Sequence, residues 1–268
     1  MKIGVTERGD AGWDFSWYDR LAANDYLGDD FDGVLLITKH LCSEFVTKAL
    51  DLYHNGIPVV VHSTTTGWGH TAVEPGTHDY RTQLDNTKTL VDGGLPVENI
   101  VIRIDPIYPT PVGLKRVTEV IEYATQIGLL APKNAPGRHA RLRVSVIDEY
   151  KHVKERMRAR GFQPIYGDAF YAPERMMRDT AQMLRTMNVP FEVCAENLLA
   201  SMCPDLATVR GCVSEHDIEL MGLKIDPNDP MYQNPQKRKG CHCLSCKTEL
   251  LTKRHPCPTK CIYCYWKD

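Results

Sequence analysis

Residues 33–62, GVLLITKHLCSEFVTKALDLYHNGIPVVVH, hold two apolar runs with one helical segment between them. The runs, at 33–38 and 57–62, have the length of buried strands. The segment between them begins at Ser43, a helix-capping residue type, and stops at Asn55-Gly56. Apolar strands joined by a helix are typical of a parallel sheet that is covered on both faces. This unit therefore predicts an α/β fold.

The same strand-then-helix order extends along most of the chain. Further strands are predicted at 2–6, 99–104, 141–147 and 191–195, and further helices at 82–91, 112–127 and after Pro173. We therefore predict a partial or open (β/α) barrel over residues 1–235. A polar linker at 227–239 leads into a cysteine-rich tail, residues 236–268, which we predict to bind a metal cluster.

Polar residues stand at the predicted carboxyl ends of the strands, where barrels of this kind carry their active sites. They are His62, Asp105, Asp148, Glu149, Glu196 and Asn197. Residues of these types also cap helices and form turns, so each alone has a structural alternative. Because the ends of parallel strands converge in space, we expect the group to surround one site.

The composition excludes some classes of protein. A net charge of −2 argues against a protein that grips long duplex nucleic acid by its phosphates. The apolar runs are too short to cross a bilayer and the amino terminus carries no secretory signal, so we expect a cytoplasmic protein, in the host cytoplasm if a phage encodes it. In that compartment the ten cysteines indicate metal ligation rather than disulfides.

The cysteines of the tail can be grouped in two ways. In one, Cys243-x2-Cys246 pairs with Cys261-x2-Cys264 as a zinc ribbon with four thiolates. The chain would then be a zinc-ribbon-tailed α/β protein, either a hydrolase or a nucleic-acid-binding module. In the other, Cys257, Cys261 and Cys264 hold a [4Fe-4S] cluster and leave one iron without a protein ligand.

The second grouping resembles the CxxxCxΦC motif of radical S-adenosylmethionine enzymes, with Tyr263 as the aromatic residue. From about residue 30 onwards the chain is similar to a branch in which this motif is carboxy-terminal and follows Arg-x-x-Cys-x-Cys, here residues 238–243. Further similarities lie at 66–69, 103–107 and 194–196. Within that branch the chain resembles phage isomerases that convert 5-N-alpha-glycinylthymidine to its C-linked isomer during hypermodification of phage DNA.

The resemblance implies two cofactors, a [4Fe-4S] cluster on the three cysteines and S-adenosyl-L-methionine at the open iron. It also implies a 5′-deoxyadenosyl radical that takes hydrogen from a modified nucleoside in DNA or from a small-molecule substrate, and a reductant such as flavodoxin or ferredoxin. In the wider superfamily the cluster loop follows the first barrel strand, whereas here it follows the last. A barrel tolerates this permutation because its first and last strands are neighbours.

Charge and position suggest a role for each candidate, beginning with Arg103 for the cofactor carboxylate. The cofactor-binding candidates are Tyr263, Arg103, Asp105, Ser145, Glu196 and Asn197. The substrate-binding candidates are His62, Thr64, Thr66, Trp68, His70, Asp148, Glu7 and Arg8. The catalytic candidates are Cys241, Cys243, Glu149 and Tyr150. For Cys241 and Cys243, a second metal site, shielding of the cluster and a simple tight turn remain alternatives.

Overall fold

The computed structural model describes residues 1–22, 31–224, 226, 228, 241–245, 247–251 and 257–266. Its strands are β1 (Ile3–Val5), β2 (Gly33–Thr38), β3 (Val59–Thr64), β4 (Ile100–Ile107), β5 (Arg141–Val146), β6 (Phe191–Val193), β7 (Ala207–Val209) and β8 (Lys247–Glu249). Its helices are α1 (Ser16–Ala22), α2 (Ser43–His54), α3 (Tyr80–Asp92), α4 (Pro111–Gln126), α5 (Lys151–Ala159), α6 (Glu174–Met187), α7 (Asn197–Met202) and α8 (Glu215–Leu220). Most of the predicted linker, together with Arg238 and Cys246, lies outside the described residues.

The eight strands form one open sheet in the order β7-β6-β5-β4-β3-β2-β1-β8. Every neighbouring pair is parallel. From β1 to β7 the spatial order is the order along the chain, which is the arrangement of a (β/α) barrel whose two edge strands are not paired with each other. The predicted fold class, an open (β/α) barrel, is confirmed.

Two apolar layers hold the sheet, one on each face. The larger joins strand residues such as Leu36 and Ile102 to helix residues such as Phe45 and Val120, all of them fully buried. The smaller joins the other face of the strands to α8. Because both faces of the sheet are covered, strands β2, β3 and β4 carry continuous apolar runs at 34–37, 59–61 and 100–102. Among the described residues, no helix is long and apolar enough to span a membrane.

Two local predictions were wrong. Strand β4 does not stop before Asp105-Pro106 but continues to Ile107, with a register shift against β5 between Ile104 and Ile107. A bulge of this kind absorbs a proline, which lacks the N–H that ordinary pairing needs, without ending the strand. Helix α2 is capped by Cys42, and Ser43 is its first residue.

The tail contributes the edge strand β8, which pairs with β1. The Glu249 carboxylate accepts hydrogen bonds from the backbone N–H groups of Glu7 and Arg8, both at 2.9 Å. Leu250 is fully buried, and a methyl group on Gly4 would lie 2.8 Å from its Cδ1 atom. The tail is therefore packed as part of the barrel wall.

We expect Leu250→Ala to lower the free energy of unfolding by about 2 to 5 kcal/mol, because it opens a cavity in this wall. Chemical denaturation with a spectroscopic probe measures the change. Val112→Ala, on an exposed helix position, is the matched control and should change the free energy by less than about 0.5 kcal/mol. If Leu250→Ala and Val112→Ala are equally stable, the Leu250 side chain does not stabilise the barrel wall.

Candidate functional site

A cavity of about 820 Å³ lies at the carboxyl ends of the strands, and we call it the central cavity. Its wall includes residues from the ends of seven strands, β1 to β7, or the loops after them, and residues of the tail on either side of β8. The volume is that of pockets which enclose a cofactor or a small molecule. Of the six polar strand-end residues expected to surround one site, Asp105 and Asp148 line this cavity, and His62, Glu149, Glu196 and Asn197 do not.

Cys257, Cys261 and Cys264, the cysteine triad, all line the central cavity. The Thr259 hydroxyl lies 2.9 Å from the Cys257 sulfur and 3.5 Å from the Cys261 sulfur. Burial raises the pKa of the Cys257 and Cys261 thiols, so they favour the neutral form until a cation offsets the charge. One loop therefore presents three soft ligands to one space.

Helix α5 fixes this loop through the guanidinium group of Arg156. That group donates to three backbone carbonyls, those of Ile262 at 3.3 Å, Cys264 at 2.7 Å and Trp266 at 3.0 Å. The Arg156 guanidinium thereby holds the second half of the loop at 257–266, which we call the triad loop. Its donors are fixed in one plane, so it can bind several carbonyls at once better than a flexible ammonium group.

The loop between β3 and α3 supports the first half of the triad loop. The N–H of Gly76 donates to the Thr259 carbonyl at 3.2 Å, and the N–H of Ile262 donates to the Val73 carbonyl at 3.0 Å. A Cβ atom at position 76 would lie 2.1 Å from the Pro258 carbonyl oxygen, so this approach requires glycine. The two loops are thus built to touch each other through their backbones.

Sequence reasoning missed Lys39, which follows β2 directly and lines the cavity. Its ammonium group donates to the Tyr263 hydroxyl at 2.8 Å and to the Asp105 carbonyl at 2.9 Å, and lies 3.5 Å from the Glu74 carboxylate. Burial by itself lowers the pKa of Lys39, but the negative groups around it, with Glu74 first among them, together outweigh burial and raise the pKa, so the group stays charged. The position directly after a predicted strand was the signal that could have identified it.

The predicted cofactor-binding residues divide into two groups. Tyr263, Arg103, Asp105 and Ser145 line the central cavity. Arg103 and Asp105 form an ion pair with each other. Glu196 and Asn197 instead line a smaller neighbouring pocket of about 170 Å³.

Glu196 is nevertheless joined to the wall of the central cavity. Its carboxylate accepts hydrogen bonds from the Ser145 hydroxyl at 3.0 Å and from the Val146 N–H at 2.9 Å. Burial raises the pKa of Glu196 to about 7, even though both hydrogen bonds act in the opposite direction. It is placed to hold Ser145 in position from behind.

Of the predicted catalytic residues, Cys241, Cys243 and Tyr150 line the central cavity. Glu149 does not line it, because its carboxylate accepts the N–H groups of Ile165 at 2.6 Å and Tyr166 at 3.0 Å and so fixes the loop after α5.

Sequence reasoning also missed Cys194 and Cys212 as site residues, although both line the cavity together with Cys241 and Cys243. Each follows a strand end, β6 or β7, closely. Hydrogen bonding to Cys194 lowers the pKa of Cys241 to about 3 and that of Cys243 to about 6.

The predicted substrate-binding residues also divide. Glu7, Arg8, Thr64 and Asp148 line the central cavity, and His62, Thr66, Trp68 and His70 do not. The side chain of His62 is fully buried, and its ring nitrogens have no hydrogen-bond partner among the described residues. Thr66 donates to Glu74 at 2.7 Å. Trp68 packs on Tyr108, which meets Tyr263 edge-on at 5.8 Å, so the indole acts behind the cavity wall.

A stack of three rings lies beside Lys39. The His40 ring stacks between Trp13, at 3.9 Å between ring centroids, and His78, at 4.1 Å. Burial lowers the pKa of His40 to about 4, with repulsion from His78 and His70 acting in the same direction. The stack therefore requires a neutral imidazole.

Comparison with known proteins gives a family. The model of the family described as "Domain of unknown function (DUF1848)" matches residues 20–266. No curated protein matches the sequence.

The chain is also similar to solved structures, at low identity. One is PhdJ bound to a substrate intermediate, with 11% identity and a TM-score of 0.34, in which 78% of this chain and 58% of that chain are covered. Another is the carboxyl transferase domain of Rhizobium etli pyruvate carboxylase, with 10% identity, a TM-score of 0.30 and coverage of 84% and 44%. The chain thus spans 58% and 44% of the length of these two proteins, and likeness at this level carries no argument about activity.

The ring stack predicts a stability that depends on pH. The pKa of His40 is lower in the folded state than in the unfolded chain, so its stabilising effect is complete above about pH 6.5 and is lost as the pH falls towards 4. Because the ring is only half-buried, we expect a loss of about 1 kcal/mol. His40→Phe should keep the stacking and lose less stability between pH 7 and pH 4 than the unaltered protein. Urea denaturation at each pH measures this, with His54→Phe on the exposed end of α2 as the control.

If the unaltered protein and His40→Phe lose the same stability between pH 7 and pH 4, the ring stack does not control the titration of His40.

Proposed function

The chain belongs to the DUF1848 family, and we propose that it is a radical S-adenosylmethionine enzyme with a [4Fe-4S] cluster on Cys257, Cys261 and Cys264. One observation carries the proposal. The triad opens into a cavity of about 820 Å³ that is also lined by Tyr263 and Arg103. The resemblance assigns the triad to the cluster and the aromatic residue before the last cysteine to the adenine, and charge complementarity assigns Arg103 to the cofactor carboxylate.

The residues present fit a cluster of this type. Thiolates are the ligands that iron–sulfur clusters use, and the loop supplies three of them, which leaves one iron for another ligand. The positive charges of Lys39 and Arg103 face the same cavity and offset part of the negative charge of three thiolates and the sulfides. The clamp formed by Arg156 holds the loop in place from the opposite side.

When bound and reduced, the cluster supplies one electron to the sulfonium of S-adenosylmethionine, from which methionine and a 5′-deoxyadenosyl radical result. The residues of this chain then bind and orient. Arg103 is suited to the methionine carboxylate, and Asp105 and Ser145 to its amino group or to the ribose hydroxyls. Lys39 orients Tyr263 through its hydroxyl, and so sets the position of an adenine packed on that ring.

Shielding is the second task of the protein. Behind the triad lies an apolar cluster that includes Tyr108, Ile147, Ile262 and Tyr263. Such a wall limits access of water and oxygen to the reacting atoms, so that a radical meets the substrate first. Glu7, Arg8, Thr64, Asp148 and Tyr150 line the remaining surface and are our candidates for substrate contact.

We propose, on the resemblance, that the reaction is the isomerisation of 5-N-alpha-glycinylthymidine to its C-linked isomer. A nucleoside in duplex DNA would have to leave the base stack to enter the cavity. A flavodoxin or ferredoxin is the proposed electron donor. The zinc-ribbon alternative has less support, because the described thiol neighbours of Cys243 are Cys194, Cys212 and Cys241, and not the triad.

Replacement of Cys257, Cys261 and Cys264 together by alanine should abolish binding of about four irons per chain. The protein is purified without oxygen, and iron, acid-labile sulfide and zinc are quantified. With dithionite and S-adenosylmethionine, the unaltered protein should form 5′-deoxyadenosine and the triple variant none. Cys42→Ser, a cysteine outside the cavity, is the control and should keep full iron content.

Zinc without iron in the unaltered protein, or iron without 5′-deoxyadenosine, would overturn the proposal. Substrate is tested separately with oligonucleotides that carry glycinylthymidine, because the cleavage assay does not depend on the substrate.

Lys39→Gln should raise the KM for S-adenosylmethionine about tenfold while the iron content stays unchanged, because a charge-assisted contact with Tyr263 is lost. Lys39→Arg, which keeps the charge and the donor, should recover most of the affinity. The rate of 5′-deoxyadenosine formation against cofactor concentration gives KM and kcat separately. A change in kcat alone would contradict a positioning role.

A further inference from the structure

A second group of cysteines lies apart from the triad. The sulfurs of Cys194, Cys241 and Cys243 all lie within 4.8 Å of one another. Among the described residues this is the one group of three or more histidine, cysteine or acidic side chains whose ligand atoms lie so close together, and the triad does not form a group this tight. The three thiols are free.

Cys212 adds a fourth thiol to this group. Its backbone N–H donates to the Cys243 sulfur at 3.0 Å, and it lines the central cavity together with the other three cysteines. Three sulfurs within 4.8 Å of one another with a fourth thiol beside them, none of them in a disulfide, are a costly arrangement for neutral thiols, which are weak hydrogen-bond donors. The same arrangement is what a thiolate-bound metal requires.

These four cysteines lie where the open barrel does not close, between its edge strands β7 and β8, and we call this place the seam. Cys194 follows β6 and Cys212 follows β7, whereas Cys241 and Cys243 precede β8. Strands β7 and β8 are the two edges of the sheet. The group therefore joins the segments next to both edges, which no pair of strands connects.

The backbone is adapted to this approach. The N–H of Leu244 donates to the Val213 carbonyl at 2.9 Å, which links the tail to the loop after β7. A Cβ atom at Gly211 would lie 2.4 Å from the His242 carbonyl oxygen and 2.6 Å from the Cys243 Cα atom. Only glycine allows the tail to lie so close to this loop.

We propose that Cys194, Cys212, Cys241 and Cys243 bind one tetrahedral Zn²⁺ ion, which fastens the tail across the seam of the barrel. Zinc–sulfur bonds of about 2.3 Å place the sulfurs of a tetrahedron about 3.8 Å apart, and the observed limit of 4.8 Å fits this spacing. A cubane cluster binds each thiolate to a different iron and so spreads its ligands more widely. The compact group therefore favours a single ion.

The charge of the surroundings fits as well. Four thiolates and Zn²⁺ carry a net charge of −2, which needs nearby cations if it is buried. Arg143, which donates to the Cys212 carbonyl at 3.1 Å, and Lys247, which lines the same cavity, supply positive charge here, and each also pairs with a carboxylate. His242 lies between two of the ligands, but its side chain is exposed, so we do not include it.

The ion would act on structure rather than on substrate. It would connect positions that are far apart in sequence, and links that close long loops restrict the unfolded chain most. Because β8 is short, a nearby metal clip also explains how so small a strand is kept in the sheet. The triad follows β8 directly, so the ion would set the starting point of the cluster loop.

Metal analysis of anaerobically purified protein tests the proposal. The unaltered protein and the triad variant should each hold about one zinc per chain. Cys194→Ser/Cys212→Ser, whose changes lie outside the tail, should lose the zinc and keep the iron. Cys42→Ser is the matched control and should keep both metals. The triad variant lacks the three cluster cysteines and keeps the four cysteines of this site. Its zinc content therefore tests this site independently of the proposed radical function.

A spectroscopic measurement covers the case in which the double variant fails to fold. The triad variant is stripped of metal with a chelator and then titrated with Co²⁺. The visible absorption of a tetrahedral thiolate site should appear and should saturate at about one equivalent of Co²⁺. Hydrogen exchange at residues 247–251 should be faster without metal and slow again on addition of Zn²⁺.

Three results would overturn the proposal. One is no zinc in the triad variant together with no Co²⁺ absorption. Another is a second set of about four irons that depends on Cys194 and Cys212, which would mean a second cluster. The third is loss of zinc in Cys246→Ser, which would support the zinc ribbon instead.

Discussion

The pairing of β8 with β1 is the constraint on which the rest of the site depends. It brings a segment from the end of the chain to the edge formed by its beginning, and the Glu249 carboxylate secures the join at the backbone of residues 7 and 8. Residues from 257 to 266 lie at the carboxyl ends of the strands. The triad loop then lies above the sheet, where the strand-end residues face it. Because β8 and β1 are neighbours in the sheet, a cysteine motif that follows β8 would lie close to one that follows β1.

Two arginines hold the loops that lie on either side of the central cavity. Arg156 reaches out from α5 and gathers the carbonyls of the triad loop. Arg143 is buried inside the barrel, where it pairs with Glu192 at 2.5 Å and supports the loop of Cys212. In both cases a planar cation satisfies several acceptors at once, which a loop without regular hydrogen bonding needs. After β8, the tail is therefore held by side chains of the barrel and by backbone contacts with the loop between β3 and α3.

The two cysteine groups differ in a way that suits different chemistry. The triad comes from one loop, sits against an apolar wall and leaves room in the cavity beside it. The second group comes from three separate segments and is packed sulfur against sulfur. A metal bound by ligands from distant segments holds those segments together, which is the role of a structural site. A single loop beside open space can instead hold a reactive group that substrate can approach. This contrast supports the two proposals, a reactive cluster on the triad and a structural ion on the second group.

The sequence by itself determined the α/β class, most of the longer strands and helices, and the triad, because strand periodicity and the CxxxCxxC spacing are local patterns. It also placed Arg103, Asp105 and Ser145 near strand ends, and the structure puts them on the cavity wall. Only the tertiary structure decided that His62 and Glu149 turn away from the cavity, since the direction of a side chain depends on pleat and partners. It alone brought Cys194 and Cys212 beside Cys241 and Cys243. Contacts between the two edges of a sheet join residues far apart in the chain, and no local pattern records them.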